Sequence, residues 1–340
     1  LVNLGSPDSP TEADVRRYLD EFLMDPCVLD SPWLIRRFVV SCFILPKRPK
    51  ESAHAYRSVW TDQGSPLLVT SCALAEKVRE NLEQPVALGM RYGSPSIQEG
   101  LRDLMRRSQG GLDEILLFPL YPHFAMSSYE TVVIATREAM RKLGIDLTLR
   151  VVPPFYEDPL YIEALVGSAR DYLQGDWDYL LFSYHGLPER HLRKSDPTGK
   201  HCLATPDCCS KPSQAHKTCY RHQAFRTTEE FVKKAGIPEG KYSVAFQSRL
   251  GRDPWLKPYT DFELERLAKQ GIRKILVICP AFVSDCLETL EEIGMRGKES
   301  FEQAGGEELR LVYCMNEHPA WIETATEFCR RPAPLASEVC

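Results

Sequence analysis

The sequence predicts an α/β protein made of two Rossmann-like, doubly wound halves. Two observations carry this. Apolar runs of about five residues alternate with longer amphipathic stretches, the pattern of parallel strands covered by helices on both faces. The later part of the chain also repeats the earlier part at one common offset: Arg91 corresponds to Arg249, Gly93 to Gly251 and Glu130 to Glu288.

Strands are expected at residues 1–4, 85–90, 114–118, 147–152, 179–183, 242–246, 274–279 and 309–313. Helices are expected at 11–22, 71–82, 96–107, 131–143, 159–173, 225–234, 261–269 and 286–301. The domain division that follows is 1–150 for the N-terminal half, 151–325 for the C-terminal half and 326–340 for a tail, with a cysteine-rich insertion at 198–219. Two such halves facing each other create a cleft. Ligands of open α/β sheets bind beyond the carboxyl ends of the strands, so the chemistry is sought in the loops there.

The chain has 340 residues, 43% hydrophobic and 26% charged, the balance of a soluble globular protein. A net charge of −5 gives no reason to expect nucleic-acid binding. No apolar run is long enough to span a bilayer, and no secretory leader opens the sequence, so a cytoplasmic protein is expected. The opening Leu-Val-Asn-Leu-Gly reads as a strand already under way, so a few further residues are expected before it. Residues 25–50 stand apart: an apolar stretch edged by Arg36, Arg37, Lys47, Arg48 and Lys50. It suits a helix lying on a membrane surface, a lip of the cleft, or an ordinary core helix.

His185 ends the apolar run Leu180-Leu-Phe-Ser-Tyr184 and is followed by Gly186-Leu-Pro188, which turns the chain. An imidazole at a strand's carboxyl end can accept a proton or bind a metal; it can equally be a loop histidine bonded to backbone. Asp285, Glu288 and Glu292 have the spacing of one helical stripe. Carboxylates on one stripe repel unless a cation compensates them, and divalent metals accept such oxygen ligands. A capping box would account for Asp285 and Glu288 but not for Glu292.

Together these blocks resemble the ferrochelatase family. The carrying motifs are Ser183-Tyr-His-Gly-Leu-Pro188 with Asp196-Pro197, Phe246-Gln-Ser-Arg-x-Gly-Arg-x-Pro-Trp-Leu-x-Pro-Tyr-Thr-Asp261, and Ser284-Asp-Cys-Leu-Glu-Thr-Leu-Glu-Glu292. The opening Leu1-Val-Asn-Leu-Gly-Ser-Pro-Asp8, Gly64-Ser-Pro-Leu67, Met90-Arg-Tyr92 and Leu120-Tyr-Pro122 fit as well, in the family's order. The resemblance implies the chelatase fold, two Rossmann-like halves around a porphyrin cleft, and insertion of Fe2+ into protoporphyrin IX, a lyase step of haem biosynthesis. It implies that His185 and Glu288 are the catalytic, metal-site residues on opposite walls of the cleft. Asp285 and Glu292 would line the iron path, and Arg91, Tyr92, Ser127 and Trp255 would contact the porphyrin. Cys286 stands where some relatives have His.

Cys202, Cys208, Cys209 and Cys219 arrive where the family has a shorter link. Four thiolates suit a two-iron two-sulfur cluster, as in some microbial relatives, or one Zn2+. His201, His216 and His222 are substitute ligands, and Cys314, Cys329 and Cys340 are rivals near the tail. Disulfides do not suit a reducing cytosol. The competing readings are a coproporphyrin ferrochelatase, a cobalt or nickel chelatase of a sirohydrochlorin-type ring, and a non-catalytic haem carrier or metallochaperone.

Overall fold

The computed structural model describes residues 1–108, 111–249, 251 and 253–339. Leu250 and Arg252 of the second motif, and Cys340, lie outside them. The strands are β1 (Val2–Asn3), β2 (Gly89–Met90), β3 (Glu114–Leu117), β4 (Thr148–Val151), β5 (Tyr179–His185), β6 (Tyr242–Gln247), β7 (Lys274–Ile278) and β8 (Glu308–Val312). Each coincides with an expected run. The helices are α1 (Glu12–Leu23), α2 (Trp33–Val39), α3 (Arg48–Val59), α4 (Pro66–Glu80), α5 (Ile97–Arg107), α6 (Thr131–Leu143) and α7 (Pro159–Leu173). They continue with α8 (Glu189–Lys194), α9 (Tyr220–Ala235), α10 (Thr260–Lys269), α11 (Lys298–Gln303), α12 (Pro319–Arg330) and α13 (Ala336–Val339). Three π-helical segments adjoin them: Val40–Ile44 extends α2, Met126–Glu130 leads into α6, and Glu288–Gly297 leads into α11.

Local chemistry sets many of the boundaries. The Thr11 side chain accepts from the Asp14 N–H at the start of α1, and Ser96 with Glu99 forms a full capping box on α5. Asp158 caps α7, with Pro159 in its first turn. Helices α6 and α9 end at Gly144 and Gly236, both left-handed, a conformation that costs glycine nothing.

The chain forms two compact units. The first comprises Leu1–Leu120, Met126–Pro153 and Ala325–Cys340; the second comprises Tyr121–Ala125 and Pro154–Thr324. In the first unit β1 pairs with β2 and β3 with β4, all parallel. The Val2 N–H donates to Phe118 O (2.9 Å) and the Leu120 N–H to Val2 O (2.8 Å), which joins the two pairs in the order β2-β1-β3-β4. Near the C-terminus, Leu335 bridges to Arg150 and the Val151 N–H donates to Pro334 O, so the segment set apart as a tail packs beside β4.

The second unit is a parallel sheet of order β6-β5-β7-β8. Both units therefore run second, first, third, fourth, the structural counterpart of the sequence repeat. Leu180, Leu181, Phe182, Ser183 and Tyr184 of β5 are all buried, which is why this strand reads as a continuous apolar run. Leu181, Ala245 and Val277 pack with Leu264, Leu267, Ile293 and Phe301 on one face of the sheet.

Residues 25–50 do not form a core helix. Trp33, Leu34, Ile35, Phe38 and Phe43 are 55–74% exposed. Arg36 is not an edge cation either: it is buried, and its guanidinium donates to the carbonyls of Leu29 (3.0 Å) and Ser31 (2.8 Å). Arg37 is engaged with Asp20 and Ser41, whereas Lys47, Arg48 and Lys50 are exposed. No helix among the described residues is long and apolar enough to cross a membrane.

Candidate active site

His185 is the last residue of β5 and is half-buried. Its Nδ1 lies 2.6 Å from the Gly186 carbonyl oxygen. A carbonyl only accepts, so Nδ1 carries the hydrogen and the lone pair is on Nε2. The Gly186 N–H in turn donates to Gln247 O at the end of β6 (2.7 Å). A Cβ on Gly186 would stand 2.6 Å from that same oxygen and 3.3 Å from the Trp255 ring, so this close approach requires glycine. Pro188 bridges to Trp255, which places that indole against the base of the His185 turn.

Gln247 is buried and ties β5 and β6 to the acidic segment. Its Oε1 accepts from Ser183 Oγ (2.7 Å) and its Nε2 donates to the Glu288 carbonyl (2.9 Å). Ser248 follows in the left-handed region (φ 66°), unusual for a residue with a side chain and costly in strain. In that conformation its N–H donates to Glu292 Oε1 (2.9 Å) and its hydroxyl to Glu292 Oε2. Burial pushes the Glu292 carboxyl up, and the Ser248 hydroxyl and nearby His185 offset this only in part.

The acidic segment differs from the expected stripe. Glu288–Gly297 is π-helical, with a wider turn than the spacing argument assumes, and Asp285 precedes the helix. The Asp285 carboxylate is buried and already occupied. Its Oδ1 accepts from Thr289 Oγ1 (2.9 Å) and the Cys314 N–H (3.2 Å), and its Oδ2 from Asn316 Nδ2 (2.6 Å). Asp285 therefore pins the loop after β7 to the chain after β8, and it forms no capping box with Glu288. Within the segment Glu291 is paired with Arg296 (2.8 Å), which leaves Glu288 and Glu292 as the other carboxylates. His185 and Glu288 belong to one unit: His185 ends β5, and Glu288 opens the π-helical segment that follows the neighbouring strand β7.

In the first unit, Arg91 and Tyr92 follow β2 directly. Tyr92 is fully buried, with Phe22 edge-on at 5.2 Å and its hydroxyl 2.8 Å from Asp25 Oδ2. A ring with no exposed surface cannot contact a ligand, so Tyr92 supports its neighbours instead. Arg91 is bound by Asp25 and by Thr131 Oγ1 (2.7 Å). Ser127 is half-buried within the π-helical turn Met126–Glu130.

The cysteine segment is anchored by Asp196. Burial opposes its charge, but the N–H groups of Cys202, His201 and Thr198 and the Thr198 hydroxyl outweigh that and hold the carboxyl well below the usual range. Cys202, Cys208 and Cys219 are buried. The thiols of Cys202 and Cys209 both hydrogen-bond Cys219, which pulls the Cys219 thiol down and pushes the other two up. Arg221 Nη1 lies 3.8 Å from Cys208 Sγ and 3.7 Å from Cys209 Sγ. His201, His216 and His222 turn their ring nitrogens to the Cys208 and Cys209 carbonyls. Among the described residues no group of three or more His, Cys, Asp and Glu side chains is set as ready metal ligands. Three of the four thiols, those of Cys202, Cys209 and Cys219, are in mutual contact. The rivals Cys314 and Cys329 lie elsewhere, Cys314 beside Asp285 and Cys329 in the first unit.

Sequence reasoning left Gln247, Ser248 and Asn316 without roles, although the first two sit inside the second motif. Their signal was position alone: polar residues at the carboxyl ends of strands.

The fold as a whole is similar to that of a solved structure. SirB from Bacillus subtilis with Fe3+ superposes with a TM-score of 0.52 at 13% identity, covering 77% of this chain and 87% of that one. The class is thus an α/β protein of the chelatase fold. The family model described as ferrochelatase matches residues 1–332. Ferrochelatases of Azotobacter vinelandii and Pseudomonas fluorescens are 54% identical over 334 residues and 55% over 338, covering at least 98% of each chain. The chain belongs to the ferrochelatase family.

Proposed function

We propose that this chain inserts Fe2+ into protoporphyrin IX, forming protohaem and releasing the two pyrrole protons. The observation that carries the chemistry is His185: its Nδ1–H is committed to Gly186 O, which leaves Nε2 to accept a proton. A free porphyrin keeps its pyrrole N–H groups in the plane that the metal must enter. Binding energy from the rest of the ring holds the macrocycle bent, and His185 takes a pyrrole proton. Glu288, with Glu292 held by Ser248, strips water from Fe2+ and hands it to the ring nitrogens. Arg91, Ser127 and Trp255 contribute to holding the porphyrin. The test is anaerobic insertion of Fe2+ into protoporphyrin IX and, in parallel, coproporphyrin III. Turnover with protoporphyrin preferred supports the proposal; turnover with neither ring ends it, and a preference for coproporphyrin moves the chain to the other branch.

The convergence of Cys202, Cys209 and Cys219, with Cys208 beside them, favours a second reading, that these four thiolates hold a two-iron two-sulfur cluster, with Zn2+ as the alternative. Such a group would supply redox sensitivity or structural stability. A colourless, iron-free protein prepared anaerobically rules out the cluster. The exposed Trp33, Leu34, Ile35, Phe38 and Phe43, flanked by Lys47, Arg48 and Lys50, support peripheral contact with an anionic membrane surface facing the cytoplasm. Co-sedimentation with anionic vesicles, lost in Phe38→Glu, tests it.

A further inference from the structure

Asp25 has no part in the chemistry above, yet its side chain is only 2% exposed and carries more bonds than any acid of the active site. Its Oδ2 accepts from the Tyr92 hydroxyl (2.8 Å), the Thr131 hydroxyl (2.5 Å) and the Arg91 guanidinium. Its Oδ1 accepts from the Cys27 N–H (2.7 Å). Arg91 Nε closes the ring on Thr131 Oγ1 at 2.7 Å. Burial opposes the charge on Asp25, but these donors outweigh it and hold the carboxyl below its usual range. The Asp25 backbone carbonyl also accepts from the N–H groups of Val28 and Leu29, and Arg36 clamps the far side of that turn through the Leu29 and Ser31 carbonyls. One residue thus fixes, through its carboxylate, the Arg91–Tyr92 pair after β2 and the start of α6, and, through its carboxylate and its backbone carbonyl together, the turn that leads to the exposed apolar helix α2.

The second unit repeats the construction. Thr289, the counterpart of Thr131, donates to the buried Asp285, which ties the π-turn carrying Glu288 to the neighbouring loop. A threonine directly after the repeated glutamate, bonded to a buried aspartate, appears in both halves, which marks the arrangement as a built feature of the fold.

We infer that Asp25 is a positioning residue for the tetrapyrrole: it aims Arg91 and steadies the turn that carries α2, and so governs ring binding without touching the ring. This rests on the reading of the chain as a ferrochelatase. Without the carboxylate, Arg91 keeps its charge and loses its direction, and the turn that leads to α2 loses its Cys27 N–H bond. The loss falls on porphyrin binding, because His185, Glu288 and Glu292 stand in the other unit and keep their own supports.

The experiment is steady-state iron insertion with porphyrin varied, using Asp25→Asn and, as a milder change that keeps the Asp25–Arg91 pair, Thr131→Val. Breaking a buried ion pair also costs stability. An unfolded fraction lowers apparent kcat and leaves KM unchanged, so the two effects separate. The expected result is a porphyrin KM raised about tenfold in Asp25→Asn and about threefold in Thr131→Val, with kcat per folded enzyme within about twofold of wild type. In an Arg91→Lys background, Asp25→Asn adds little further. KM within twofold of wild type in both single variants overturns the inference. If the wild-type chain itself inserts no iron into any porphyrin, the parent reading has failed instead.

Discussion

Gly186→Ala puts one methyl group where the backbone of β6 already stands. The new Cβ would lie 2.6 Å from Gln247 O, about an ångström inside normal contact of roughly 3.5 Å. Strands β5 and β6 are locked along six residue pairs up to His185 and Gln247, so only their ends can separate. Overpacking of this kind costs about 1–3 kcal/mol, and losing the Gly186–Gln247 hydrogen bond adds about 1 kcal/mol. The expected loss of stability is therefore about 2–4 kcal/mol. The effect on activity is larger. His185 is oriented by the Gly186 carbonyl at 2.6 Å, and Gln247 carries the Glu288 carbonyl on its Nε2. A shift of about 1 Å at this junction disturbs both, and misplacement on that scale costs on the order of a hundredfold in rate. Iron insertion at saturating porphyrin, with thermal melting and porphyrin fluorescence quenching on the same preparation, measures the three effects. Wild-type turnover and melting temperature in Gly186→Ala would refute the reasoning.

Two further outcomes follow from buried titrating groups. Ser248 helps hold the Glu292 charge against burial, so Ser248→Ala raises that carboxyl further and moves the acid limb of the kcat/KM profile to higher pH; an unmoved limb contradicts the role, and Ser248→Gly controls for relief of the left-handed backbone. His123 is fully buried with its Nε2 on Thr227 Oγ1 (2.9 Å), and burial pushes it down to about 3. The unfolded chain binds its proton near pH 6.5 and the folded chain does not, so stability falls as pH drops from about 6.5 towards 3, by up to ~1.4 kcal/mol per pH unit. His123→Gln should flatten that slope in urea unfolding, and an unchanged slope would contradict the assignment.

The strands were legible in the sequence because a parallel sheet covered on both faces demands unbroken apolar runs, and β5 is the clearest case. The repeat was legible because both halves kept the same residues after the same strands. Helix α3 was not, since its face is mostly polar, and α8 is too short to show a period. The acidic stripe is not legible because these residues fold as a π-helix with Asp285 ahead of it, where α-helical spacing does not hold. Tyr92 is a porphyrin contact only by the family resemblance, and Arg36 an edge cation only by residue type. What buries them is Asp25 in the one case and the Leu29 and Ser31 carbonyls in the other, contacts that no local pattern encodes. The motif around Gln247 and Ser248 was visible, but their tasks depend on a left-handed backbone and on strand adjacency.

The most direct test of the account is His185→Ala, assayed for ferrous iron insertion and for porphyrin binding together. The account predicts bound porphyrin with its fluorescence quenched and metallation abolished, because the proton acceptor at the end of β5 is gone. Turnover near the wild-type rate in that variant would contradict it.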